Sequence, residues 1–133
     1  MENFKLTNFF TIKGISAASG LVYAQNVLFV ISDSSNFLYQ YDIDKKLLLK
    51  FPLVKDAKEN IEKESKPDLE SITQYGNQLI MLGSGSTQKR NMMYGLDLGS
   101  DALQTQDLTA LYQNLKTVGS FSDDQLNIEG AIY

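Results

Sequence analysis

Two short motifs in this 133-residue chain have the spacing of a paired-carboxylate site. Asp68-Leu69-Glu70 and Asn127-Ile128-Glu129 each set an oxygen-bearing side chain two residues before a glutamate. Side chains alternate between faces along a β-strand, so Asp68 and Glu70 are expected on one face and Leu69 on the other. If the two motifs open neighbouring units of the fold, Glu70 and Glu129 point towards a common axis, flanked by Asp68 and Asn127. Carboxylates that converge with backbone carbonyls could hold Ca²⁺, a hard cation that takes oxygen ligands, with Glu70 and Glu129 as the metal-binding pair. The same oxygens could instead bind a cationic or sugar-like ligand. They could also accept hydrogen bonds from backbone N–H groups of the next unit and only lock the units together. Arg90 joins this candidate site, because a guanidinium beside carboxylates either pairs with them or grips an anionic ligand bidentately.

Other chemistry is pruned by absence. The chain has no His and no Cys, so it holds no Ser-His-Asp triad, no thiolate nucleophile, no imidazole or thiolate metal site and no disulfide. A carboxylate can still act as a general base where burial and a like charge raise its pKa. Twelve Lys and Arg against 16 Asp and Glu give a net charge of −4, which argues against a nucleic acid partner. The seven Tyr and seven Phe are then core residues rather than base-stacking platforms. Gly83-Ser-Gly-Ser-Thr-Gln-Lys-Arg90 has the composition of a phosphate loop but not its spacing, and strand rather than helix follows it. It reads as a hairpin loop. Asp123-Asp124, preceded by Ser122, reads as a turn rather than a metal site.

The elements that must position these residues are mostly strands. Residues 1–14 suit a strand, with Phe, Thr and Ile between Phe4 and Ile12 and a turn at Gly14. Gly20–Tyr23 is a short strand. Val27–Ile31 is a continuous apolar run, as in a strand buried on both faces. Phe37–Tyr41 and Leu47–Leu53 follow, joined by a turn at Asp42–Lys46, with Pro52 marking an edge. The connector 55–66 mixes four Lys with four acids and reads as a solvated loop. Glu59/Lys63 and Glu62/Lys66 would support a short helix there instead. Strands resume at Leu69–Tyr75, Gln78–Leu82, Asn91–Leu98 and Ala102–Thr105. Leu108, Leu111, Tyr112, Leu115 and Val118 form a one-face stripe that predicts a helix near 107–118, with Asp107 as its cap. A last strand is expected over 126–133.

These strands repeat. Ser19–Ile31 aligns without a gap on Glu70–Leu82, an offset of 70 − 19 = 51. Tyr39-Gln-Tyr-Asp42 then aligns on Tyr94-Gly-Leu-Asp97 after a four-residue insertion, and Glu129–Tyr133 opens a third copy. A four-stranded meander recurring at this period is the signature of a propeller blade. The expected fold is all-β: a partial β-propeller of two four-stranded antiparallel blades (15–54 and 67–118, the second with the helix) and the start of a third. Residues 1–14 would then be the outer strand of another blade.

Lys66-Pro-Asp-Leu-Glu-Ser-Ile72, the Leu82–Ser86 loop with Arg90, and Leu126-Asn-Ile-Glu-Gly-Ala131 resemble an uncharacterised bacterial propeller family. That family is related to the esterase-like phytase and SdiA-regulated propellers. The resemblance implies a central channel and a chain of about six blades, roughly twice this length. It attaches no secure activity. Two functions follow as expectations: a non-enzymatic scaffold binding a ligand or partner at the channel mouth, or a Ca²⁺-dependent phytase-like or esterase-like hydrolase. In the hydrolase, Glu70 and Glu129 would be ligands or bases and Arg90 the anion-binding group. Open blade faces need covering, either by further blades of the same chain or by association of copies. The longest apolar run is far too short to cross a membrane and the first residues are no signal peptide, which points to the cytoplasm.

Overall fold

A computed structural model describes residues 5–122 and 125–132. Among these, eight strands form two four-stranded antiparallel sheets. The first holds β1 (Ala18–Ala24), β2 (Val27–Ser32), β3 (Phe37–Asp42) and β4 (Leu47–Pro52) in that order. The second holds β5 (Leu69–Tyr75), β6 (Gln78–Gly83), β7 (Met92–Asp97) and β8 (Leu103–Asp107). One helix, α1 (Thr109–Gly119), follows. Each sheet is a meander because each connection is a short turn. Gln25 and Asn26 both take left-handed φ (51° and 64°) to close the β1–β2 hairpin, and Gly76 (56°) does so at the matching place in β5–β6. Pro52 ends an edge strand, where its missing N–H costs no ladder bond.

The repeat is physical as well as textual. Asp33 N–H donates to Ala17 O at 3.2 Å, and 51 residues on Ser84 N–H donates to Asp68 O at 2.9 Å. Leu53 N–H donates to Asn36 O and Leu108 N–H to Asn91 O, an offset of 91 − 36 = 55. The four extra residues therefore lie between Ser84 and Asn91, where a 3₁₀ turn, Gln88–Arg90, forms.

The two sheets meet through unlike faces. In the first sheet Gly20 pairs with Ile31 on one face and Leu21 with Val30 on the other. In the second, Ile72 pairs with Met81, and these are the 51-residue copies of Leu21 and Val30. The main core joins Phe29, Ile31 and Leu38 of the first sheet to Ile72, Leu79 and Met81 of the second. The face bearing Gly20 and Ile31 thus covers the face bearing Ile72 and Met81, each fully buried aliphatic side chain contributing about 1.5–3 kcal/mol. Gly20 permits the close approach, since a Cβ there would stand 2.9 Å from Ile72 Cγ2. Among the described residues no sheet covers the outer face of the first sheet, where Leu21 is 59% exposed, whereas its copy Ile72 is 8% exposed.

Several expectations need correction. Residues 5–13 form no strand, and residues 1–4 lie outside the described residues. The segment pairs with neither edge of the first sheet and instead packs on its outer face, with Phe10 stacked on Tyr41 at 5.7 Å. Residues 126–132 are not a strand either, and Tyr133 lies outside the described residues. Ile128 N–H donates to Ser84 O at 2.8 Å, as Asp68 N–H does to Asp33 O. No second strand lies beside it among the described residues to extend that bond into a ladder. The connector 55–66 is a loop, as expected: Glu59 pairs with Lys50 of β4 and Lys66 with Asp33 after β2, and neither i,i+4 pair forms among the described residues. The helix stands one residue late. Asp107 Oδ1 accepts from Thr109 N–H at 2.7 Å, but Leu108 occupies the N-cap. Of its stripe only Leu108 and Tyr112 are buried, against Leu82, Met93 and Leu126, while Leu111, Leu115 and Val118 remain exposed. Asp123 and Asp124 lie outside the described residues.

Candidate functional site

The charged residues gather where the loop after β2, the end of the connector, the start of β5 and the 84–91 loop meet. Asp68 is the hub. Pro67 and a left-handed φ of 54° turn the chain into β5 at this residue and bury its carboxylate. Asp68 Oδ1 receives the Lys66 ammonium at 2.7 Å, and Oδ2 accepts from Ser84 Oγ at 2.6 Å and Arg90 Nη1 at 3.0 Å. Burial alone would raise the Asp68 pKa. The hydrogen bond from Lys66, then that from Ser84 and the charge of Arg90, outweigh it and hold the carboxyl below its ordinary value.

Both cations are multiply engaged. Lys66 also holds Asp33 Oδ2 at 2.6 Å, and these two carboxylates overcome burial to keep its pKa raised. Arg90 Nη1 also donates to Ser86 Oγ at 2.8 Å, and Nη2 donates to Lys63 O at 2.8 Å. The guanidinium pins the insertion loop to the connector. A similar contact fixes the other side of the connector, where Glu59 accepts from the buried Tyr39 hydroxyl and from Lys50. Burial first, and then Glu59, push the Tyr39 pKa up to about 12.

Glu70 completes the cluster without a cation of its own. One carboxylate oxygen from each of Asp33, Asp68 and Glu70 lies within 4.8 Å of the others. No hydrogen bond or ion pair reaches Glu70 from the described residues. Its pKa is raised by burial, then by the charges of Asp68, Glu129 and Asp33. The pairing of Asp68 with Glu70 thus holds, but not through strand alternation: Asp68 precedes β5, and a bulge between Leu69 and Ser71 breaks the alternation.

Asn127 and Glu129 lie at the margin. Both are exposed, and Asn127 Nδ2 donates to Glu129 Oε1. The amide that repeats the bond of Asp68 belongs to Ile128, an offset of 128 − 68 = 60, so Asn127 and Glu129 stand one residue out of step with Asp68 and Glu70. Ser19, the copy of Glu70 in the first repeat, donates its hydroxyl to Leu69 O and ties the sheets directly.

The arrangement does not fit Ca²⁺ held by Glu70 and Glu129. Glu129 is outside the three-carboxylate group, and the Lys66 ammonium already stands between Asp33 and Asp68 where a cation would draw their oxygens. Calcium takes six to eight oxygens, whereas among the described residues this group offers only Glu70 and the unpartnered Asp33 Oδ1 beside the Lys66 ammonium. Sequence reasoning missed Lys66 and Asp33. The available signal was Lys66-Pro67-Asp68, a cation placed two residues before a candidate ligand, together with the correspondence of Asp33 to Ser84.

Among the described residues no helix is long and apolar enough to cross a membrane. A family model described as a family of unknown function (DUF6929) matches residues 14–133, and the chain belongs to this family. No curated protein matches. A search of solved structures finds the N-terminal domain of Nup159, with a TM-score of 0.47 and 16% identity over 74% of this chain. The chain spans 23% of that structure's length.

Proposed function

We propose that this member of the DUF6929 family is a β-propeller segment acting as a non-enzymatic binding scaffold, which takes a cationic group of a partner or ligand at Glu70 and Glu129. Support for the propeller reading comes from the head-to-tail stacking of unlike sheet faces, since a two-fold sandwich would bring like faces together. The observation that carries the functional reading is Glu70. Asp33 and Asp68 share Lys66, and Asp68 also holds Arg90, whereas Glu70, half-buried beside two carboxylates, has no ion-pair partner among the described residues. An incoming ammonium or guanidinium would relieve that repulsion and gain a charge-assisted bond. The alternative, a Ca²⁺-dependent phytase-like or esterase-like hydrolase, has less support because Lys66 stands in the cation position.

Fluorescence anisotropy with a labelled oligolysine peptide tests the scaffold reading. Saturable, salt-sensitive binding that disappears in Glu70→Gln/Glu129→Gln is expected. Binding that survives the double substitution, or none at all, overturns it. Calcium-dependent turnover of a phosphate or carboxylate ester would favour the hydrolase.

A further inference from the structure

The two repeats differ at two places, and those places face each other. One is the four-residue insertion between Ser84 and Asn91. The other is α1, which follows Leu108 where the first repeat runs from Leu53 into an irregular connector. Insertions that break a repeat tend to fall on its binding face. Here Thr87 and Gln88 of the insertion and Thr109, Gln113 and Lys116 of α1 line a cavity of about 420 Å³, within the range of small-molecule sites. No carboxylate lines it among the described residues.

Asn91, also in the lining, supplies an independent sign. It is 6% exposed, its Nδ2 donates to Thr109 Oγ1 at 3.1 Å, and its Oδ1 is buried with no partner among the described residues. Turning the amide over does not help. The Thr109 hydroxyl would then donate to Oδ1, and Nδ2 would become the orphan. Tyr112 cannot serve, because its hydroxyl donates to Gly83 O at 2.8 Å and its ring packs against Gly85. A ligand hydroxyl both donates and accepts, so it satisfies Asn91 in either orientation.

We propose that this cavity is a second binding site, for a small neutral molecule bearing several hydroxyl groups, a monosaccharide or polyol, with one hydroxyl bonded to the Asn91 amide. The Thr87 hydroxyl and the Gln88 and Gln113 amides would take further hydroxyls at the mouth. This site adjoins the Glu70 cluster through Ser86, which lines the cavity and accepts from Arg90, but it does not depend on the reading given to that cluster.

The test is a ¹⁵N NMR titration of the full chain with D-glucose, D-ribose and mannitol, and separately with inorganic phosphate. At least one neutral probe is expected to shift the Asn91 side-chain amide and residues 86–88 saturably, in the millimolar range. Thr87→Val and Gln113→Ala, both at exposed positions, should each weaken that binding about tenfold while leaving the remaining spectrum unchanged. Two results would overturn the proposal: a hydrated cavity only, with no saturable shift from any neutral probe, or a saturable response to phosphate alone.

Discussion

Lys66 reaches back 33 residues to set its ammonium 2.6 Å from the Asp33 carboxylate, joining the loop after β2 in the first sheet to the start of the second. The same nitrogen holds the buried Asp68, so one side chain neutralises two acids from different sheets. Replacing it by Met should lower stability by about 3 kcal/mol at neutral pH, because two acids lose their shared cation. The substitution should also open the place between Asp33, Asp68 and Glu70. Millimolar Ca²⁺ is then expected to raise the melting temperature of Lys66→Met and not that of the native chain. Equal responses to Ca²⁺ would show that Lys66 does not occupy the cation position.

Glu70 and Asp68 should titrate with opposite effects on stability. Glu70 binds its proton more tightly folded than unfolded, so stability falls as pH rises from its ordinary value of 4.5 through the raised folded value. Glu70→Gln removes that loss and should raise the urea midpoint more at pH 7 than at pH 4. Asp68 is depressed, so its contribution is present above 3.8 and is lost as pH falls through its folded value. Asp68→Asn should therefore cost most at neutral pH and least in strong acid. Parallel pH profiles for the two variants would contradict these assignments.

Gly20 and Ser71 are copies 51 residues apart in unlike surroundings. A side chain at Gly20 runs into Ile72 and Ile31, so Gly20→Val should cost about 1–3 kcal/mol by wedging the sheets apart. Ser71 is buried, and its hydroxyl has no partner among the described residues. Ser71→Ala removes that orphan and should stabilise the fold by up to about 1 kcal/mol. Denaturant titrations that rank the two variants the other way would refute the face assignment.

Arg90 makes three bonds in two directions from one planar group, to Asp68, Ser86 and Lys63. A lysine keeps the charge but cannot keep the fork. Arg90→Lys should cost about 1–2 kcal/mol and speed amide exchange in the 84–91 loop. Unchanged exchange there would mean that the loop holds its shape without the guanidinium.

The strand pattern, the 51-residue repeat and the insertion were all legible because each leaves a local mark: apolar runs, turn residues and a gap in the alignment. The gathering of Asp68, Glu70 and Arg90 was legible too, since two repeats in register bring the same loop ends together. Lys66 was hidden by the even mixture of charges in 55–66, where sequence cannot tell which lysine leaves solvent for a buried acid, and Asp33 by its place in an ordinary polar turn after β2. The bulge after Leu69 left no mark, so alternation misassigned the reason Asp68 and Glu70 converge. The strands expected at 1–14 and 126–133 had suitable residues, but a ladder also requires the segment to lie along an edge strand, and where a segment docks is decided by the assembled sheets.

The head-to-tail meeting of the two sheets has a consequence for how such a chain can change over generations. Each face is complementary to the other kind of face rather than to itself. A tandem duplication of residues 18–68 would set Gly20 and Ile31 against Leu21 and Val30, apolar neighbours of the kind they already meet in Ile72 and Met81. Length can therefore grow or shrink by whole units without a new interface having to evolve, and novelty can accumulate in the loops at the ends of the strands.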